Sequence, residues 1–314
     1  MTRSRLLVAG SLNMDFVVRV AELPAPGQTV LGRGFVMVPG GKGANQAAAA
    51  GRLGAGRIAV QMAGRVGLDL FADSLKASLA ANSVDVSTVN ASRQDPTGTA
   101  FIWVDQSGQN SIVVAAGANG RFTAADIPPL RPALQRSAWA LVQLETPLDA
   151  VTSFLHLARE SGAKTMLDPA PAQRLAGAIL SNVDLLTPNE TEACLLLDRP
   201  ATRVTPDDAP ALAKALLQLG PRAVVLKLGD QGCYYCDAQT SFHVPAFRVN
   251  AVDTTAAGDT FNAALAVALT EGQELTEALR FANAAAALSV TRAGAQSSIP
   301  TRQEVDALTG GGTA

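Results

Sequence analysis

The chain has 314 residues, of which 48% are hydrophobic and 17% charged, with 25 Lys and Arg against 27 Asp and Glu for a net charge of -2. That balance argues against nucleic acid or an anionic membrane surface as the main partner, and no window approaches the roughly 20 apolar residues of a membrane span. The length is enough for a large core, in one large domain or two small ones, and three cysteines are too few for a disulfide framework.

Behind a basic N-terminal stretch, the apolar run from Leu6 to Gly10 is too short for a signal-peptide core. It reads as the first strand of a cytoplasmic protein. Gly43 to Leu53 is Ala-rich and helical, Arg57 to Ala63 a strand, and Leu70 to Asn82 a helix. Ala138 to Leu144 is a strand and Leu148 to Ser161 a helix. Lys164 to Leu167, Leu185 to Leu186 and Ala223 to Leu228 are further strands with helices between them. From Gly258 onward, Phe261, Leu265 and Leu269, then Leu275, Leu279, Ala282, Ala286 and Val290, give two apolar stripes at helical spacing. Strands alternating with helices predict an α/β fold: a doubly wound, mostly parallel sheet flanked by helices, in one domain over residues 1–314. The tail from Gly310 to Ala314 reads as disordered.

Two segments break the rhythm. Phe16 to Val38 and Thr99 to Ala115 carry β patterns with no helix after them, and the second reads as a hairpin turning at Asp105 to Asn110. Its arms are apolar on both faces, with Phe101 and Trp103 on one and Ile102 and Val104 on the other. A two-stranded excursion is not stable alone, so both segments are expected to form a small projecting sheet, a lid. One face would cover a ligand and the other the lid of a second subunit, making a homodimer.

Cys233 and Cys236 form a C-x-x-C in a strand–turn–strand pattern. On a strand, residues three apart point to opposite faces, so structural thiols are expected and not a redox or metal site.

Four motifs carry polar chemistry. Gly10-Ser-Leu-Asn-Met-Asp15 closes the first strand, and Asn13 and Asp15, two apart, would project together toward vicinal hydroxyls; an Asx-turn would explain them as well. Pro39-Gly-Gly-Lys-Gly-Ala-Asn-Gln46 leads into a helix and could offer free amides to a ligand; Lys42 and Asn45 add polar groups. Lys42 is followed by Gly43 and not by Ser or Thr, so this is not a Walker A loop. Thr187-Pro-Asn-Glu-Thr-Glu192 starts a helix, where Asn189 and Glu192 fit either water-mediated Mg²⁺ contact or a capping box. Asp253-Thr-Thr-Ala-Ala-Gly-Asp259 is the most specific. Its small residues admit a phosphate to a helix start, and Asp259 stands where a carboxylate could take the proton of an attacking hydroxyl.

With LVQLETPL and VTRAGAQSSIP, these motifs closely resemble the ribokinases of the phosphofructokinase-B type carbohydrate kinase family, over about Leu6 to Leu308. The resemblance implies ATP-dependent phosphorylation of D-ribose at O5, with ATP as co-substrate and Mg²⁺ and K⁺ as cofactors. It implies Asp259 as base and the amides of Ala256, Ala257, Gly258 and Asp259 as the anion hole. It implies sugar contacts from Asn13, Asp15, Gly41, Lys42, Gly43, Asn45 and Glu145. Nucleotide contacts would come from Asn189, Glu192, Lys227, Leu228, Gly229, Asp230, Gln231, Gly232, Gly258 and Asn283. A monovalent cation would lie at Asp253, Thr255, Ser289, Arg292, Gly294 and Ser298. An ion pair between Asp253 and an arginine such as Arg292 is the alternative. Asp168 stands where many ribokinases have Asn, Lys227 where Thr is usual, and Arg65 and Ala72 loosen a further family segment. Two other readings remain: a kinase for another sugar or a nucleoside, and a non-catalytic sugar or nucleotide sensor on the same fold.

Overall fold

Strand Arg5–Ala9 (β1) shows how the main sheet is made. Leu6 and Val8 enter one core cluster and Leu7 and Ala9 another, all fully buried. Side chains alternate between faces, so an unbroken apolar strand needs cover on both sides. The computed structural model describes residues 4–106 and 109–310 and covers the sheet with helices on both faces.

The later strands are Asn13–Arg19 (β2), Arg33–Gly40 (β3), Ala59–Val66 (β4), Val84–Ala91 (β5), Gly98–Val104 (β6) and Asn110–Ala115 (β7). Then come Trp139–Val142 (β8), Lys164–Leu167 (β9), Leu185–Leu186 (β10), Ala223–Lys227 (β11), Cys233–Asp237 (β12) and Ser241–Val244 (β13). The α-helices are Lys42–Gly54 (α1), Leu70–Ala81 (α2), Arg131–Leu134 (α3), Leu148–Glu160 (α4), Gly177–Leu180 (α5), Glu190–Leu196 (α6), Ala209–Leu217 (α7), Ala257–Thr270 (α8), Leu275–Ser289 (α9) and Arg302–Gly310 (α10).

The main sheet runs β13-β12-β11-β10-β9-β8-β1-β4-β5. From β5 across to β11 neighbours are parallel, and β12 and β13 close one edge antiparallel. One face packs against α1, α2, α8, α9 and α10 through Leu53, Leu75, Leu265, Leu279 and Val305. The other packs against Phe154 of α4, Leu212 of α7 and the 122–134 segment. Phe154 has no exposed surface, and its truncation to Ala would cost about 3–5 kcal/mol. Ala47 to Ala50 of α1 and Ala263, Ala264 and Ala266 of α8 are all fully buried, and such small side chains let two helices pack closely.

The chain passes from β1 to β4 on one side and later to β8 on the other, so strand order reverses at β1. In open α/β sheets, ligands sit beyond the carboxyl ends of the strands at that reversal.

The second sheet is the expected lid, four strands in the order β3-β2-β6-β7. The hairpin pairs Thr99 with Ala115 through to Val104 with Asn110. Ser107 and Gly108 of its turn, and Gly311 to Ala314 of the tail expected to be disordered, lie outside the described residues; Gly310, expected in that tail, instead ends α10. Phe16 stacks on Phe101 with centroids 5.2 Å apart and meets Phe71 of α2 edge-on at 5.6 Å.

Some boundaries move. Arg57 and Ile58 donate to Gly54 O in a turn that closes α1, which delays β4 to Ala59. The strand expected over Ala138 to Leu144 leaves the sheet after Val142, where the chain turns into the site. β5 was not foreseen, because Asp85, Ser87 and Asn90 break the apolar pattern of this edge strand. Cys233 and Cys236 lie on β12 and enter opposite core clusters; both are free, and burial pushes the Cys233 thiol up to about 12. No helix is long and apolar enough to cross a membrane among the described residues.

Candidate active site

Five neighbouring strands deliver polar residues to one edge. The chain leaves β1 toward Ser11, β8 toward Gln143 and Glu145, β9 at Asp168, β10 toward Asn189, and β11 at Lys227. Helix α8 starts beside this row and α1 crosses to it.

The Gly-rich turn before α1 has most of its amides already engaged, leaving Gly41 N without an acceptor among the described residues, so the ligand cradle expected there is narrowed to that one amide. Lys42 N donates to Glu145 Oε2 (3.0 Å), Gly43 N to Ser11 Oγ (3.4 Å), Ala44 N to Ser11 O (2.9 Å) and Asn45 N to Gly41 O (2.8 Å). The Glu145 carboxylate therefore caps α1 as an internal anion, and Ser11 Oγ donates to the same oxygen at 2.5 Å. The glycines are there for close approach. A Cβ on Gly43 would stand 2.7 Å from Gly10 C and Ser11 N, and Gly41 has φ 87° with Asn13 N 2.8 Å from its Cβ position. Gly41, Gly43 and Glu145 thus shape the wall beside Lys42.

Asn13 and Asp15 sit on β2, the strand that leads from β1 into the lid. Asn119 Nδ2 donates to Asn13 Oδ1 (2.7 Å) and to Leu12 O (3.0 Å), and Leu12 N donates to Asn119 Oδ1 (2.9 Å), so Asn13 is clamped. Asp15 Oδ1 is buried with no hydrogen-bond partner among the described residues. A buried carboxylate oxygen needs a donor, and a ligand hydroxyl reaching the cleft would supply one. Burial, with Glu145 and Asp259 nearby, raises the Asp15 carboxyl to about 7.

Asp259 lies in the first turn of α8 and is buried. Asn45 Nδ2 donates to its Oδ2 (3.1 Å) and Gln46 Nε2 to its Oδ1 (2.9 Å). Gln46 Nε2 also donates to Asp168 Oδ2 (2.8 Å), while Gln143 Nε2 donates to Gln46 Oε1 (2.6 Å) and fixes the amide's orientation. Burial raises the Asp259 carboxyl to about 6, against the opposing pull of Lys42. For Lys42 burial acts to lower the value, but Asp259, Asp168, Glu145 and Glu192 outweigh it and hold the ammonium above its ordinary range. An ionisable carboxylate near neutral pH beside a fixed cation is the equipment of a general base.

The turn ahead of Asp259 is built by Ala256, whose φ of 57° puts a non-glycine residue in the left-handed region. Ala257 N donates to Thr254 O (3.2 Å), so Ala257 serves the turn. The first amides of a helix have no intrahelical acceptor, and those of Gly258 and Asp259 can therefore receive an anion.

Among the residues expected to meet a nucleotide, Asn189 and Glu192 form a reciprocal capping box. Asn189 N and Nδ2 donate to Glu192 Oε2 and Oε1 (2.7 and 2.9 Å), and Glu192 N donates to Asn189 Oδ1 (2.8 Å). Burial raises the Glu192 carboxyl, opposed by Lys227. Lys227 Nζ pairs with Asp168 Oδ1 at 3.0 Å. Leu228 is buried, and Gly229, Asp230 and Gln231 make a 3-10 turn ending at Gly232, φ 93°. Asn283 Nδ2 donates to Val244 O (3.1 Å) and Pro245 O (3.2 Å), so its amide holds the wall after β13.

Residues 3–302 match the pfkB family carbohydrate kinase. The chain belongs to that family. It is 42% identical to the ribokinase of Haemophilus influenzae over 305 residues, covering 96% of this chain and 97% of that one. It is 33% identical to the deoxyribokinase of Salmonella typhimurium, over 95% and 96% of the two chains. The structure of Arabidopsis thaliana ribokinase complexed with ribose and ATP superimposes with a TM-score of 0.90 at 31% identity, covering 98% of this chain and 99% of that one.

Among the residues expected to hold a monovalent cation, the structure joins two segments. Asp253 Oδ1 accepts from Thr255 N (2.9 Å) and Oγ1 (2.6 Å), and Oδ2 from Gly294 N (2.8 Å). Val290 O at the end of α9 accepts from Val252 N and Asp253 N. The hydroxyls of Ser289 and Ser298 bond to Ala286 O and Ala295 O, and Arg292 pairs with Glu304 at 2.5 Å. The alternative pairing of Asp253 with Arg292 is therefore not the one formed. What fits a monovalent cation here is the Asp253 carboxylate, held ionised by Gly294 and Thr255, beside the C-terminus of α9. For Mg²⁺ the fit is different. Asp168 and Glu192 are engaged by Lys227, Gln46 and Asn189, which suits a metal held by phosphate oxygens and its own waters. No cluster of three or more His, Cys, Asp or Glu side chains able to hold a metal occurs among the described residues.

Sequence reading passed over Gln46, Gln143 and Asn119. Gln46 and Gln143 sit inside quoted motifs, but their roles depend on contacts 122 and 97 residues away. Arg65 and Asp69, in the loosened family segment, are structural: Arg65 pairs with Asp126 at 2.6 Å and Asp69 caps α2.

Proposed function

We propose that this protein is an ATP-dependent kinase that phosphorylates D-ribose at O5 to give D-ribose 5-phosphate and ADP. The observation that carries the reading is Asp259. It is buried, rises to about 6, is held by Asn45 and Gln46 from the sugar side, and stands in the first turn of a helix whose amides face the phosphate side.

Ribose would lie under the lid with its hydroxyls on Asp15 and Asn13. Asp259 accepts the O5 proton, O5 attacks the γ-phosphorus, and the bond to the β–γ bridging oxygen breaks to release ADP. Positioning and charge stabilisation do most of the work in such a transfer, and removing one anion-hole donor typically lowers turnover by about 10²–10³. Mg²⁺, when bound with the nucleotide, neutralises charge on the β- and γ-phosphates. K⁺ would organise the Asp253–Gly294 junction behind the anion hole without touching substrate. We place the enzyme in the cytoplasm, with lid strands inserted into one catalytic domain.

We also propose a homodimer joined through the lids. Both lid faces carry apolar side chains about half exposed, Phe35, Met37, Phe101 and Val113 on the face that packs on Phe71 of α2, and Val36, Ile112 and Val114 on the face that carries Asp15. Because the first face turns toward α2, we place the partner's lid on the Asp15 face, beside the ligand, in place of the opposite faces expected from the sequence. A charge at Ile112→Asp should give monomers in sedimentation. A monomeric unmodified protein at micromolar concentration would rule the dimer out.

The deciding test of the reaction is product mass. Incubation with Mg·ATP and ribose should yield a pentose monophosphate and ADP in equal amounts. A higher kcat/KM for 2-deoxyribose than for ribose would move the assignment to the deoxyribose branch. ATP turnover absent with all pentoses and nucleosides would support a sensor.

A further inference from the structure

The mechanism above leaves a buried ion pair without a task. Lys227 and Asp168 end adjacent-but-one strands, and their side chains are 11% and 3% exposed. The ammonium is held at 3.0 Å by Asp168 Oδ1, and it lies only 3.5 Å from where a Cβ on Gly258 would stand. The charge is therefore held beside the first turn of α8, the turn that carries the amides of Gly258 and Asp259. The rest of the cleft is rich in carboxylates: Asp15, Glu145, Glu192 and Asp259 all contribute to the field around it. A triphosphate entering that cleft needs a cation at the point of transfer, and the Lys42 ammonium already answers to Asp259, Asp168 and Glu145.

We propose that Lys227 is a catalytic residue whose ammonium binds the transferred γ-phosphoryl group at the anion hole, and that Asp168 is the positioning residue that aims it. Asp168 has a second reach. Its Oδ2 accepts from the same Gln46 nitrogen that donates to Asp259 Oδ1, so one chain of contacts, Lys227–Asp168–Gln46–Asp259, links the phosphate cation to the base. The ammonium and the base are thereby held in one frame on opposite sides of the reacting oxygen and phosphorus. Loss of Asp168 frees the ammonium to swing away; loss of Lys227 leaves a carboxylate facing the phosphate.

The inference rests on the phosphoryl-transfer reading, and the two fail separately. Ribose phosphorylation by the unmodified enzyme tests the reading. The inference is tested by the ratio of affinities for AMP-PNP and ADP, measured by calorimetry with saturating Mg²⁺. Lys227→Met should weaken AMP-PNP binding at least about tenfold while ADP stays within about threefold, and turnover should fall by about 10²–10³. Because Lys227→Met alone strands a buried anion, the double variant Lys227→Met/Asp168→Asn removes both charges with little change of shape. It should show the same loss of AMP-PNP discrimination. Asp168→Asn should lower kcat about tenfold, and adding it to Lys227→Met should cost nothing further, since Asp168 acts through Lys227. An unchanged AMP-PNP to ADP ratio in the double variant, or additive losses of kcat, would overturn the proposal.

Discussion

Gln46 donates one side-chain nitrogen to Asp259 Oδ1 at 2.9 Å and to Asp168 Oδ2 at 2.8 Å, so a single amide bridges two buried carboxylates. The bridge comes from the second residue line of α1, and with Asn45 it aims the Asp259 carboxylate at the cleft. If Asp259 is the base, Asp259→Asn keeps the shape but cannot accept the O5 proton. Turnover should fall by about 10²–10⁴, with ATP binding unchanged in calorimetry. Wild-type turnover in a folded Asp259→Asn protein would remove Asp259 from the mechanism.

The same burial has a consequence for stability. The Asp259 carboxyl rises from 3.8 to about 6 on folding, so its ionised form is disfavoured in the native state. The penalty is absent below about pH 4, where the group is protonated in both states. It grows as pH rises from there and is complete above about 6. This interval corresponds to about 3 kcal/mol. Asp259→Asn never ionises, so its stability relative to the unmodified enzyme should climb by roughly 2–3 kcal/mol between pH 4 and pH 7. Urea unfolding at several pH values measures this; a stability difference flat with pH would mean that Asp259 titrates normally.

Asp15 and Gly40 give a second handle. Asp15 lies across from the β3 strand, and a Cβ on Gly40 would stand 2.0 Å from its Oδ2 and 2.6 Å from its Oδ1. That contact is with a side chain, so the carboxylate would have to turn away from the cleft. Gly40→Ala should raise the KM for ribose at least about tenfold while leaving the KM for ATP within twofold, because one good charged hydrogen bond is worth about 1.5–3 kcal/mol. A matched rise in both constants would point to general loosening of the lid.

The parallel core was legible because β1, β8, β10 and β11 are nearly continuous apolar runs, and only a sheet covered on both faces tolerates them. The lid was legible from β patterns with no following helix. β5 and β13 were not, since an edge strand with one wet face carries a weak pattern. The site divides in the same way. Asp259 and Asp15 stood out because local spacing placed them at a helix start and a strand end. Gln46, Gln143 and Asn119 did not, because each works through one partner far along the chain. The GGKG turn was legible only in part: its glycines admit the Gly10–Leu12 backbone, and Glu145 and Ser11 take the amides of Lys42, Gly43 and Ala44, leaving Gly41 N without an acceptor among the described residues. Asp168 and Lys227, two isolated departures in sequence, turn out to be partners.

The last prediction concerns the monovalent cation. Asp253 ties the Thr255 turn, three residues ahead of Gly258, to Gly294 beyond α9, and Val290 O at the end of α9 receives the Val252 and Asp253 amides. Hydrogen bonds from Gly294 and Thr255 outweigh burial and keep the Asp253 carboxyl below its ordinary value, so it stays ionised at neutral pH. Arg292 does not neutralise it, being paired with Glu304. We propose that this ionised group beside the C-terminus of α9, with Arg19 near but unpaired with it among the described residues, takes K⁺. With Mg·ATP and ribose saturating, exchanging Na⁺ for K⁺ should raise the rate several-fold, and Asp253→Ala should abolish the response while leaving the Arg292–Glu304 pair intact. The cation should also protect the fold: K⁺ raises Tm for the unmodified enzyme by mass action and leaves Asp253→Ala unmoved. Equal rates and equal Tm in Na⁺, K⁺ and a bulky organic cation would show that the Asp253 latch holds the turn by its hydrogen bonds alone.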